Sequence, residues 1–137
     1  MTIRFTVEGV DELKRKLAAL PTALVDREIP DALNEALKPV RDEAKSIAGR
    51  GSRASGHTAS LIEIRPVEDH KTNVVTAEVA LPKATPKELS VAIALEQGTR
   101  HRPAKPFMRP ALDSKQAEAV RIFGRRVRAA VERLMNK

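Results

Sequence analysis

The chain contains no cysteine, tryptophan or tyrosine, and its aromatic content is limited to Phe5, Phe107 and Phe123. Without cysteine there is no disulfide framework, no thiolate metal site and no thiol nucleophile. Without tryptophan or tyrosine there is no aromatic platform for stacking the bases of a single strand. No apolar run approaches the ~20 residues of a membrane span, and no signal-peptide h-region follows the polar N-terminus, so no membrane partner and a cytoplasmic origin are expected. What remains is a chain of 137 residues, the size of one domain, with 42% hydrophobic residues. With alanine prominent among them, a thin aliphatic core and oligomerisation are expected.

The charge is uneven. The net charge is +7, yet residues 1–99 hold 14 Lys/Arg against 15 Asp/Glu, while residues 100–137 hold 11 against 3. The basicity therefore belongs to one end of the chain, and an electrostatic partner meets that end.

Alternation of Ile3, Phe5 and Val7 with polar residues predicts a first strand. Asp11 can cap a short helix carrying Leu13, Leu17 and Leu20, stopped by Pro21. A helix from about Thr22 to Ala48 follows, with the stripe Leu33, Leu37, Val40, Ala44 and Ile47; Pro30 and Pro39 inside it predict a kink or a break. The glycine-rich stretch over about 49–58 reads as a flexible loop. Strands are predicted over Leu61–Val67, Asn73–Leu81 and Leu89–Glu96, and a last helix over Pro110–Met135 with Leu112, Ala119, Phe123, Val127, Ala130 and Leu134 inward. The expected fold is a single α+β domain, residues 1–137. It has an antiparallel sheet of about four strands packed by a long kinked helix and a C-terminal helix.

Catalytic and ligand motifs are weak. Gly51 to Thr58 approximates a phosphate loop, but His57 stands where the lysine is needed, and a helix precedes where a strand should. His57, His70 and His101 have no metal-ligand spacing. Asp42 and Glu43, like Asp11 and Glu12, are neighbours that point to different sides of a helix. No Ser-His-Asp order sits in an elbow motif. No enzyme activity, cofactor, metal or small-molecule substrate is expected.

Two basic segments stand out. Between Gly98 and Pro110, Pro103, Pro106 and Pro110 stiffen a connector carrying Arg100, His101, Arg102, Lys105 and Arg109, with Phe107 and Met108 as its large apolar groups. Those two are either core residues capping the sheet or the apolar anchor of an inter-subunit contact framed by Lys105 and Arg109. Along the last helix, Arg121, Arg125 and Arg128 follow at i, i+4 and i+7, with Arg126 and Arg133 on a neighbouring line. The stripe is either a solvated face or a contact for an acidic partner or for DNA. If three to five of these arginines met phosphates, the log–log salt slope of binding would be roughly −3 to −4.5.

Glu96-Gln-Gly-Thr99 followed by Pro103-Ala-Lys-Pro-Phe-Met-Arg-Pro-Ala-Leu112 resembles the signature of small tail-component proteins of the neck of lambda-type long-tailed bacteriophages. The match is close over Leu95 to Leu112, and His57-Thr58-Ala59-Ser60-Leu61 lacks the glycine of that family's Thr-Gly-x-Leu step. The resemblance implies a structural virion protein of the head–tail interface, made in the host cytoplasm and assembled as a homo-oligomeric ring of six or twelve. Its partners would be other neck and tail proteins, with non-specific contact to packaged DNA. The pI of about 10.1 keeps a second reading open, a small sequence-independent DNA-binding or packaging accessory protein.

Overall fold

A computed structural model of the chain describes residues 3–8, 22–51, 53–67 and 74–135. The short helix expected from Asp11 to Leu20, and His70, lie outside the described residues. The elements are β1 (Ile3–Glu8), α1 (Thr22–Gly49), α2 (Arg53–Ser60), β2 (Glu63–Val67), β3 (Val74–Ala80), α3 (Pro86–Gln97) and α4 (Met108–Met135). The strands form an antiparallel sheet in the order β1-β3-β2.

The expectation of about four strands is thus corrected to three among the described residues, because the segment Leu89–Glu96 is helical. Its alternating apolar residues mimic a strand, but the chain enters it through a capping box. Thr85 Oγ1 accepts from the Glu88 amide at 3.2 Å, the Glu88 carboxylate accepts from the Thr85 amide at 3.0 Å, and Pro86 occupies the first turn. The glycine-rich loop expected over 49–58 is also corrected: from Arg53 it is the helix α2, and Ser55 and Thr58 are buried.

The core lies between the sheet and α1. Leu33, Leu37, Val40, Ala44 and Ala48 turn one stripe of α1 towards Ile62, Ala77 and Val79, and Phe107, Met108, Ala111 and Ala119 of the last helix region join the same cluster. α1 is a single helix through both Pro30 and Pro39, so the break expected before Pro30 does not occur. Each proline removes a backbone donor at about 3 kcal/mol, which burial of Ile29, Ala32, Leu33, Leu37 and Val40 around them offsets. α4 packs along α1, and Glu28 meets Arg133 while Glu35 meets Arg126, so the two helices run antiparallel.

On the face of the sheet turned away from α1, Glu78 of the central strand sits directly opposite Arg4 of β1 and Arg65 of β2. Arg4 Nε donates to Glu78 Oε1 at 2.7 Å and Arg65 Nε to Oε2 at 3.0 Å. The two guanidiniums cover the carboxylate, whose side chain is 0% exposed. Burial on its own pushes the Glu78 carboxyl up; the hydrogen bonds and charges of Arg4 and Arg65 outweigh it, and the group titrates below the ordinary 4.5.

Candidate interaction surface

The segment from Glu96 to Arg109 is a braced corner between α3 and α4. An α-helix begins with amides that have no partner inside the helix. Here the Glu96 carboxylate supplies one: Oε2 accepts from the amides of Phe107 at 2.8 Å and Met108 at 3.0 Å, and Oε1 from Arg109 at 3.0 Å. A negative charge at that end of α4 is also favoured by the helix dipole. The glutamate that opens the motif therefore locks the helix that closes it.

Between these ends the backbone folds back on itself. Gly98 ends α3 with its amide bonded to the Ala94 carbonyl at 2.8 Å, and takes φ 79°. A β-carbon there would lie 2.8 Å from the Ala104 nitrogen, so conformation and space both require glycine. Thr99 Oγ1 accepts from the amides of His101 at 3.3 Å and Arg102 at 3.1 Å, while the Thr99 amide donates to the Arg102 carbonyl at 2.9 Å. The Lys105 amide returns to the Leu95 carbonyl at 2.7 Å.

This geometry sorts the residues singled out from sequence. Phe107 and Met108 are buried, at 1% and 3% exposure, and belong to the core. Arg100, Arg102 and Lys105 are exposed, with no ion-pair partner among the described residues. Arg109 is exposed beside Asp113, 3.7 Å away. Arg121, Arg125 and Arg128 lie on the open side of α4, also without an ion-pair partner among the described residues. Arg126 and Arg133 turn instead to α1, where Arg126 reaches Glu35 at 3.1 Å and Arg133 pairs with Glu28. The same open side carries Val120, 61% exposed, and Gly124, beside which a β-carbon would meet nothing within 4 Å among the described residues.

His57 and His101 do not converge. His57 of α2 pairs with Glu88 of α3, His101 sits exposed on the loop, and among the described residues no cluster of three metal-ligating side chains exists. Glu88 also holds the capping box. The backbone hydrogen bond from Thr85, with further ones from His57 and the Thr85 side chain, lowers its carboxyl to about 2. No helix among the described residues is long and apolar enough to cross a membrane.

The roles of Glu96 and Thr99 escape sequence reasoning because their partners lie across a loop or in the backbone. The one available signal for Glu96 is a carboxylate placed shortly before a helix that lacks a capping side chain of its own. Compared with family models, curated proteins and solved structures, the chain finds no match in any of the three.

Proposed function

We propose that this chain is a structural protein of the phage neck, which works by assembling into a ring at the head–tail interface and catalyses no reaction. The class of protein comes from the resemblance over Leu95–Leu112. The observation that carries the assembly step is the open side of α4. There Val120 and Gly124 form an apolar, close-approach centre one turn apart, flanked by Arg121, Arg125 and Arg128. An apolar centre with an arginine rim is the composition of subunit contacts. An exposed glycine inside a helix costs roughly 0.5–1 kcal/mol relative to alanine, and nothing among the described residues requires it. A neighbouring backbone packed close against α4 would. Ring closure needs a heterologous contact, so α4 meets a different surface of the next copy.

Phe107 is unsuited to the anchor role considered from sequence, since the protomer's own core already encloses it. The exposed cations Arg100, Arg102 and Lys105, without an ion-pair partner among the described residues, can meet a neighbour, a tail protein or DNA, with Arg109 beside them on Asp113.

The test is deletion of the gene from its presumed prophage, induction, and negative-stain electron microscopy of the lysate. Filled heads beside unjoined or overlong tails are expected. They should be rescued by the wild-type gene and not by a Val120→Asp, Gly124→Glu variant that folds normally. Joined particles without the gene would overturn the neck reading. The DNA-binding reading is favoured by the arginine stripe of α4, which lacks carboxylate partners among the described residues. It would be left standing by joined particles together with tight, salt-sensitive binding to duplex DNA.

A further inference from the structure

We propose that the loop from Gly98 to Pro106 is a binding site for the phosphate backbone of duplex DNA, recognised without regard to base sequence. Some cations of this fold have a carboxylate. Arg4 and Arg65 hold Glu78, Arg126 and Arg133 hold Glu28, Lys83 lies 3.6 Å from Glu63, and Lys115 lies 3.7 Å from Glu118. The loop, like the outer stripe Arg121, Arg125 and Arg128 of α4, gathers cations that lack one among the described residues. Arg100, Arg102 and Lys105 stand exposed with no ion-pair partner among the described residues. The nearest carboxylate in sequence, Glu96, is fully engaged by the three amides that begin α4.

These charges sit on a backbone already fixed. Thr99 gathers the amides of His101 and Arg102, Lys105 is tied to Leu95, and Gly98 lets the returning strand of the loop lie against it. Binding an anion therefore orders little that is not ordered already. The same hydrogen bonds occupy the amides of His101, Arg102 and Lys105. The tip offers charge and forked guanidinium donors rather than free backbone donors, which suits phosphate oxygens. An acidic protein surface is the less suited occupant. Protein contacts centre on large apolar anchors, and Phe107 and Met108 are withdrawn into the core, leaving Pro103, Ala104 and Pro106 as the exposed apolar groups.

The inference concerns the isolated chain, so its failure and that of the assembly reading are separable. The full chain is titrated with a short duplex of two unrelated sequences, by fluorescence anisotropy, over roughly 50–200 mM salt. Equal affinity for both sequences is expected. Three phosphate contacts contribute a log–log slope of roughly −2.7, which is a roughly 40-fold fall across that range. The variant Arg100→Ala, Arg102→Ala, Lys105→Ala should lose that component while melting as the wild type does. Thr99→Val keeps the charges but loosens the tip; it should retain the slope and bind roughly three-fold more weakly. Unchanged affinity in Thr99→Val would overturn the premise of a pre-set loop. A wild-type slope in the triple variant, or its loss instead in Arg121→Ala, Arg125→Ala, Arg128→Ala, would place the phosphate contacts elsewhere and overturn the site. Tighter binding of poly-glutamate than of duplex would overturn it in favour of an acidic protein partner.

Discussion

Two carboxylates of this molecule are fully engaged in different ways. Glu78, in the middle strand, is enclosed by side-chain cations from both neighbouring strands. Glu96, at the end of α3, is held by backbone amides of the helix that follows the loop. Removing Glu78 leaves two guanidiniums that are already half in water, at 59% and 49% exposure, and free to solvate. Removing Glu96 leaves amides that cannot move without unwinding the first turn of α4. The contrast separates a replaceable interaction from a structural one. A partly exposed ion pair is worth little, whereas an orphaned amide that stays out of water costs its full desolvation.

The largest effect is expected at the corner Glu96 supports. Phe107→Ala should destabilise the protein by about 3–5 kcal/mol in a denaturant titration, since it empties a site the fold cannot readily collapse. Glu96→Ala should follow at about 2 kcal/mol, combining a lost cap with two part-buried donors left unsatisfied. Glu96→Gln, which retains an acceptor, should recover part of this. If Glu96→Ala and Glu78→Ala cost the same, the distinction between the two carboxylates fails. Gly98→Ala should cost more than about 1 kcal/mol, because its backbone conformation and the Ala104 nitrogen both oppose a β-carbon. Glu78→Ala should come last, at about 1 kcal/mol.

The comparison sharpens with pH. Glu78 and Glu88 both titrate below the ordinary carboxylate value of 4.5 in the folded protein, Glu88 at about 2. A depressed folded value means that the stabilisation is complete above about 4.5 and is lost as pH falls towards the folded value. Melting temperature should therefore fall on acidification from about pH 5 to pH 2. The fall should be shallower in Glu78→Gln and in Glu88→Gln; equal slopes in all three proteins would remove these two groups as its source.

How much of this fold is legible in the sequence depends on where each residue's partner lies. β1, α1, β2, β3 and α4 were legible because their apolar period is local, as in Leu33, Leu37, Val40 and Ala44. α3 reads as a strand because Leu89, Val91, Ile93 and Leu95 alternate; the deciding signal is Thr85-Pro86-Lys87-Glu88, a helix start. α2 was hidden by glycines at 49, 51 and 56. For Phe107 the sequence leaves a core role and an anchor role open, because its flanks are prolines and cations, and the fold decides for the core. Helical spacing separates the line of Arg121 from that of Arg126, but that Arg126 and not Arg121 finds a carboxylate among the described residues depends on the position of α1.

The Glu96 bridge has a last consequence, for how the molecule opens. The amides of Phe107, Met108 and Arg109 are protected by a side chain of the preceding helix, and those of Gly98 and Lys105 by its final carbonyls. All five are tied to the last turn of α3. In native-state hydrogen exchange the five should respond together as one cooperative unit. The loop tip would then move as a block, its charges keeping their mutual spacing until that unit unlatches.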